Sequence, residues 1–210
     1  MRAESEYWEK RYRAGGDSGA GSVGEIREWK WRIIERYAGK VDDVIDVGCG
    51  DLSFWKNRDC PRYLGLDTSQ TIVERDRHER PKWEFRVHRA EVALESAPAR
   101  IVLCLDVLFH IMNDQQFDQI LENLCRFSKE WIFIYTWIRN PFNLQWAVGR
   151  LKNRTIPNLK WMLTGSDGEY EKFRPLENYL RIFAGAGFEL VHKEIRGSGA
   201  MYAFRRDSTS

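Results

Sequence analysis

The stretch Val44-Ile45-Asp46-Val47-Gly48-Cys49-Gly50-Asp51 decides the fold of this chain, and a further acid, Asp67, lies downstream of it. An apolar run with an acid near its end predicts a β-strand. The two glycines predict a turn whose backbone can approach a ligand and adopt positive φ. A second, mostly apolar run, Tyr63-Leu64-Gly65-Leu66, leads into Asp67. This layout is typical of a nucleotide-type pocket at the end of a parallel sheet, where the second acid accepts the hydroxyls of a ribose.

Strand and helix patterns alternate along the rest of the chain. Apolar runs predict strands at 44–47, 63–66, 83–87, 101–105, 131–137, 188–195 and 200–204, and 3.6-residue periodicity predicts helices at 4–13, 25–37, 70–78, 117–127 and 176–186. The pattern predicts an α/β fold with a doubly wound, mostly parallel, seven-stranded, Rossmann-like sheet that has one antiparallel edge strand. We expect residues 1–210 to form a single domain, with 1–24 as an N-terminal lid and loop and 139–175 as an insertion at the acceptor site.

The composition excludes several classes of protein. The chain has 33 basic and 31 acidic residues for a net charge of +2, which argues against a protein whose main partner is nucleic acid. Its four cysteines form no C-x-x-C pair or His-rich cluster, so we expect no metal site and a reducing, cytoplasmic location. No apolar run approaches the length that a membrane span needs, so we expect no membrane partner.

Three motifs together resemble a known family. Asp46-Val47-Gly48-Cys49-Gly50, the acid Asp67 and Leu105-Asp106-Val107-Leu108-Phe109-His110 are similar to the class I S-adenosylmethionine-dependent methyltransferases. The resemblance implies S-adenosyl-L-methionine as cofactor, with the methionine end near the glycine turn and the ribose hydroxyls on Asp67. It implies a cofactor site made of Asp46, Gly48, Cys49, Gly50, Asp67, Thr68, Asp106 and Val107.

The chain departs from the family pattern at two positions. Leu52 stands where a third glycine is usual, and Arg89 stands where an acid often contacts the adenine amino group. Glu91 or the backbone alone are the alternatives for reading the adenine. Residues 48–53 also nearly match the G-x-G-x-x-G motif of dinucleotide-binding folds, but Asp46 would bring negative charge toward a pyrophosphate and disfavours that interpretation.

His110 is the candidate catalytic residue. It follows the fourth predicted strand, where a neutral imidazole could take a proton from an attacking hydroxyl or amine. The alternative is a histidine that is satisfied in the core or that orients its loop.

Aromatic side chains are the candidates for the substrate site. Tyr7, Trp8 and Tyr12 could close over the site with the glycine-rich loop 15–24, or pack on the sheet. Tyr135 and Trp137 leave the fifth strand toward the same edge, although strand aromatics are more often part of a core. Within 139–175, Trp161, Tyr170 and Arg174 could add to an acceptor pocket, and the basic residues of 150–160 are either solvated or suited to an anionic acceptor.

The sequence thus predicts methyl transfer from S-adenosylmethionine to an oxygen or nitrogen atom of a small molecule, such as a polar metabolite or a sugar. An RNA or protein methyltransferase and a non-catalytic cofactor-binding scaffold remain the alternatives.

Overall fold

The computed structural model describes residues 3–138 and 171–207, and their side chains from residue 5 onward. The five α-helices in these ranges are α1 (Ala3–Arg13), α2 (Gly24–Ala38), α3 (Gln70–Glu79), α4 (Asp114–Phe127) and α5 (Leu176–Gly185). The strands are β1 (Asp43–Val47), β2 (Arg62–Asp67), β3 (Glu84–Val87), β4 (Ala99–Leu105), β5 (Ser128–Trp137), β6 (Phe188–Arg196) and β7 (Gly199–Arg206). Most of the predicted insertion, with Trp161, Tyr170 and the basic residues of 150–160, lies outside the described residues.

The strands form one seven-stranded sheet in the order β3-β2-β1-β4-β5-β7-β6. β1 pairs in parallel with both β2 and β4, and β7 pairs antiparallel with β5 and with β6. The predicted fold class is confirmed, and the reversed strand lies one place in from the edge. The reversal follows from the tight turn between β6 and β7, where Gly197 adopts a φ of 62°.

β4 lies at the centre of the sheet because its side chains are apolar on both faces. Ile101 and Leu103 face the core layer that contains α2 and α3, whereas Val102 and Cys104 face the layer that contains α4 and α5. Alternate residues of a strand point to opposite faces, so this single strand joins the two halves of the core. Helices on both faces make the fold doubly wound.

The parallel pairing brings the carboxyl ends of β1, β2 and β4 to the same edge. Asp46 of β1 pairs with Gly65 of β2 on one side and with Leu103 of β4 on the other. The residues that follow these strands therefore lie together. None of the described helices is long and apolar enough to cross a membrane.

Candidate active site

The glycine turn after β1 has a conformation that side chains would disturb. Gly48 has a φ of 77° and Gly50 a φ of 57°. The backbone N–H groups of Gly48 and Cys49 both donate to the carbonyl oxygen of Leu66, at 2.7 and 3.1 Å. A Cβ atom on Gly48 would overlap the Cγ2 methyl of Val107. The turn is therefore fixed to β2 and closely packed against the loop after β4.

Leu52, which stands where the family has a third glycine, adopts the left-handed backbone conformation that glycine favours. Its φ of 56° and ψ of 10° lie in the left-handed region, which costs a leucine about 1–2 kcal/mol. The side chain is only 3% exposed and packs in the core layer of α2. Burial of a leucine side chain contributes about 1.5–3 kcal/mol, which offsets the strain. The loop thus has the left-handed backbone conformation at this position with a leucine in place of glycine.

Asp67 is a buried carboxylate held by backbone groups. It accepts hydrogen bonds from the N–H of Gly50 at 3.1 Å and of Ser69 at 2.9 Å. Burial raises its pKa to about 6, and the backbone hydrogen bonds act in the opposite direction. Near neutral pH the side chain is therefore an anion with a fixed orientation at the tip of β2.

Asp46 is oriented by aromatic side chains of the core. Its Oδ2 atom accepts hydrogen bonds from Trp55 Nε1 at 2.7 Å and from the Tyr63 hydroxyl at 3.0 Å. Burial raises the pKa of Asp46 to about 6, although these two hydrogen bonds lower it. The carboxylate lines the cleft and also anchors the end of β1 to the core.

Asp106 and Lys30 form an ion pair that the sequence analysis missed. Asp106 follows β4 with a φ of 62°, and Lys30 is a fully buried residue of α2. Burial lowers the pKa of Lys30 and raises that of Asp106, while their mutual attraction opposes both shifts. The spacing held a signal: Lys30 lies four residues from both Ile26 and Ile34, on the apolar stripe of its helix.

These elements surround one cleft at the carboxyl edge of the sheet. Its walls include most of the predicted cofactor residues, which are Asp46, Gly48, Cys49, Asp67, Thr68, Asp106 and Val107. Gly50 is not one of the wall residues, but its N–H group donates to Asp67. The Cys49 thiol is buried, and desolvation keeps its pKa well above the usual value, so it is a neutral wall group.

The same cleft brings together three of the predicted catalytic and substrate residues, Trp8, Tyr12 and His110. The rings of Trp8 and His110 meet edge to face with centroids 5.5 Å apart. Ile111, Gln116 and Ile120 continue the wall beyond His110.

The other three predicted substrate residues lie away from the cleft wall. The buried ring of Tyr135 packs beneath Lys30, whose Nζ atom is 3.6 Å from the ring centroid. Trp137 stacks on Phe109 at 5.4 Å, behind the loop that carries His110. Tyr7 is 41% exposed and contacts Trp8 from the outer side of α1.

Arg89 and Glu91 form an ion pair at the end of the cleft where the resemblance places the adenine. Arg89 and Glu91 both line the cleft, and the Arg89 Nε atom donates to Glu91 Oε1 at 2.7 Å. The loop is held by Asn123, whose amide donates to the carbonyl oxygen of Ala90 at 2.9 Å. A carboxylate is thus present at this end of the cleft, two residues later than the family pattern places it.

The residues from 3 to 23, which we call the N-terminal segment, pack against the glycine turn. The Ser18 N–H donates to Asp51 Oδ2 at 3.1 Å, and the Asp51 N–H donates to Ser18 Oγ at 2.8 Å. The Tyr12 hydroxyl lies 3.1 Å from the same Ser18 oxygen. Ser18 lines the cleft, while its neighbour Asp17 pairs with Arg11 at 2.9 Å.

Glu9 fastens the N-terminal segment to the start of α3. Its carboxylate accepts hydrogen bonds from the hydroxyls of Ser69 and Thr71, both at 2.6 Å. These bonds lower the pKa of Glu9 to about 2. An anion at a helix N-terminus is also favoured by the helix dipole.

Comparisons with known proteins bear on the domain and on the fold. Residues 45–130 match the family model described as a methyltransferase domain. A comparison with curated protein sequences finds no match. Within the described residues, no group of three or more His, Cys, Asp or Glu side chains could hold a metal ion.

Solved structures share the fold over nearly the whole chain at low sequence identity. Magnesium protoporphyrin IX methyltransferase (ChlM) of Synechocystis PCC 6803, with bound S-adenosylhomocysteine, superposes with a TM-score of 0.66 at 14% identity, over 97% of this chain and 98% of that one. The N-methyltransferase NodS of Bradyrhizobium japonicum WM9, in complex with S-adenosylhomocysteine, gives 0.69 at 11% identity, over 98% and 100%. The [4+2]-cyclase SpnF gives 0.62 at 13% identity, over 98% and 93%.

Because a cyclase appears beside the methyltransferases, the shared fold alone does not fix the reaction. The match over residues 45–130 indicates a methyltransferase domain, and the strand order, the glycine turn and the two strand-tip acids give its architecture. Together they make the chain similar to the class I S-adenosylmethionine-dependent methyltransferases, with a methyltransferase domain over residues 45–130.

Proposed function

We propose that this enzyme transfers a methyl group from S-adenosylmethionine to an oxygen or nitrogen atom of a small molecule. The observation that carries the proposal is the convergence of Asp67, the glycine turn and Asp106 on one cleft, which also contains Trp8 and His110. The N-terminal segment contributes Ser5, Trp8, Tyr12, Ser18 and Ser22 to the wall of this cleft, which supports a small acceptor over a polymer.

The residues present fit the cofactor. Asp67 is a fixed anion that can accept both ribose hydroxyls, and Gly48 and Gly50 leave room where a Cβ atom would collide with neighbours. In this proposal the turn holds the methionine end, and the loop with Arg89 and Glu91 lies along the adenine. When bound, the cofactor supplies an electrophilic methyl group on a positively charged sulfur.

The protein's own task is then to align the acceptor and to exclude water. His110 accepts the proton that an acceptor hydroxyl or ammonium group releases. Trp8, Ile111 and Ile120 give this part of the cleft aromatic and aliphatic walls, and Gln116 adds a hydrogen-bonding amide. These walls favour an acceptor with an apolar body that carries one hydroxyl or amine over the polar metabolite or sugar that the sequence predicts.

The segment outside the described residues is proposed to complete the acceptor site. β5 ends at Trp137, which stacks on Phe109, and on the other side of the undescribed residues the N–H of Lys172 donates to the Phe109 carbonyl oxygen at 2.8 Å. Both described ends therefore lie beside the loop that carries His110.

We also propose a cytoplasmic location for the enzyme. All four cysteines, Cys49, Cys60, Cys104 and Cys125, are free and buried, as suits a reducing compartment.

Calorimetry with S-adenosylmethionine tests the cofactor site. We expect Asp67→Asn to weaken binding by about 10–100-fold, because hydrogen bonds to a charged acceptor contribute about 1.5–3 kcal/mol each. Asp43→Asn is the matched control. Asp43 begins β1 at the opposite edge of the sheet, where it accepts hydrogen bonds from Arg62 and from the Arg100 N–H, so its loss should leave affinity unchanged. No binding heat for the native enzyme would overturn the proposal.

Transfer of a labelled methyl group to fractions of cell extract tests the acceptor class. We expect label in the small-molecule fraction. Label found only in RNA or in protein would overturn the proposed acceptor, and a polymer acceptor would also show binding that weakens steeply with salt. Cofactor binding without transfer to any fraction would favour the scaffold alternative.

A further inference from the structure

We propose that Lys30 is a positioning residue that holds the N-terminal segment closed over the cleft and fixes Asp106 beneath it. This inference rests on the proposed function, because it assigns a role in cofactor binding.

The ammonium group of Lys30 joins three separate elements. It forms an ion pair with Asp106 after β4, and it donates to the carbonyl oxygen of Gly21 in the N-terminal segment at 2.9 Å. It also lies 3.6 Å from the ring centroid of Tyr135 on β5. Asp46 is a further charge near enough to stabilise the ammonium. One cation therefore links the segment, the loop after β4 and the sheet.

The N-terminal segment touches Asp106 directly at Gly21. A Cβ atom on Gly21 would overlap both carboxylate oxygens of Asp106. The segment can therefore reach this position only with a residue that has no side chain there. Asp106 in turn lines the cleft, so the contact lies between the segment and a predicted cofactor residue.

Stability alone is a weak reason for this arrangement. Moving a lysine and an aspartate out of water is costly, and buried ion pairs often add nothing to folding beyond what apolar residues would supply. Lys30 is fully buried, whereas the Asp106 side chain keeps 18% exposure on the cleft side. A buried cation that points at a cleft-lining carboxylate and at the covering segment is better explained by positioning than by stability.

Three variants test the proposal, and the first removes the ammonium group with its charge and its hydrogen bond to Gly21. Lys30→Met keeps an unbranched side chain but loses the ammonium. Gly21→Ala leaves Lys30 intact and pushes the segment away from Asp106. Ile34→Ala is the matched control, because Ile34 is equally buried on the same helix and its truncation loosens α2 but keeps the Lys30 ammonium group.

Hydrogen exchange of the cofactor-free enzyme is the first measurement. We expect the amides of residues 14–23 to exchange about tenfold faster in Lys30→Met and Gly21→Ala than in the native enzyme, with α4 unchanged. We also expect KM for S-adenosylmethionine to rise about tenfold in both variants, with a much smaller change in kcat. Ile34→Ala should lower the melting temperature yet leave both readouts at native values.

The proposal is overturned if residues 14–23 exchange at the native rate in Lys30→Met, or if Ile34→Ala raises KM equally. The exchange measurement needs no cofactor. If the native enzyme bound no S-adenosylmethionine, the proposed function would fail while the link between Lys30 and the N-terminal segment could still be confirmed or rejected.

Discussion

Gly48→Ala is the substitution whose consequence follows most directly from the geometry. Gly48 has a φ of 77°, which costs an L-residue about 1–2 kcal/mol. The added methyl group would also overlap the Cγ2 atom of Val107, and such overpacking costs about 1–3 kcal/mol. The backbone has little freedom to relax, because the N–H groups of Gly48 and Cys49 are bonded to the Leu66 carbonyl oxygen. We expect a total penalty of about 2–5 kcal/mol.

Urea denaturation and calorimetry with S-adenosylmethionine measure how this penalty divides between stability and cofactor affinity. The double variant Gly48→Ala/Val107→Ala removes the overlap but keeps the torsional strain, so it should recover about 1–3 kcal/mol of the loss after the effect of Val107→Ala alone is subtracted. Gly185→Ala is the control. Gly185 lies in α5 with open space around it and without a positive φ, so alanine should stabilise the protein slightly or leave it unchanged.

An unchanged denaturation midpoint and an unchanged affinity in Gly48→Ala would refute the argument. So would a double variant with the same loss as Gly48→Ala, because the overlap with Val107 would then contribute nothing.

Three further predictions concern the acids and the histidine of the site. Asp46→Asn should make the fold more stable at pH 8, by up to about 3 kcal/mol. The pKa of Asp46 is about 6 in the folded enzyme, above the unfolded value of 3.8, so the charged carboxylate destabilises the native fold. This destabilisation grows as the pH rises from 3.8 through 6. Denaturation at pH 4 and pH 8 checks this, and equal effects at both would contradict it. Glu9→Gln should speed hydrogen exchange in α1 at pH 7. In the native enzyme the same loosening should appear only as the pH falls from 4.5 toward 2, because the pKa of Glu9 is lowered to about 2. His110→Gln should lower kcat by about 10²–10⁴-fold with little change in cofactor affinity, and a native kcat would exclude it as the base.

The fold could be predicted because its main determinants are local patterns. The apolar residues of 101–105 on both faces of a short run indicate a central parallel strand, and that strand is β4. Once β1, β2 and β4 are neighbours and parallel, Asp46, Asp67 and Asp106 must come to one edge. The meeting of the acids therefore follows from topology, which the strand–helix alternation already indicated.

Other parts of the site depend on tertiary contacts that no local pattern specifies. The spacing of Lys30 from Ile26 and Ile34 indicates that it lies on the buried face of its helix. The sequence does not indicate its partners, Asp106 and the Gly21 carbonyl oxygen, because the fold alone brings them to it. Tyr135 and Trp137 both lie near the carboxyl end of β5, yet neither lines the cleft. Whether an aromatic side chain of a strand reaches the cleft depends on the residues that pack against that strand. The N-terminal segment supplies Trp8 and Tyr12 to the cleft although they lie far from β5 in the sequence, a contact that the sequence indicated only as one of two alternatives.

The buried Leu52, with its left-handed backbone conformation, affects how the loop after β1 behaves when no cofactor is bound. Ligand-binding loops commonly belong to the least protected part of a protein. Here the Leu52 side chain packs in the core layer that contains Trp29, Trp31 and Trp55, so we expect the loop to keep its conformation as long as that layer stays folded. A cofactor that binds to such a preformed loop loses less free energy to the ordering of the loop. The leucine that replaces the third glycine of the motif therefore fixes the loop to the core.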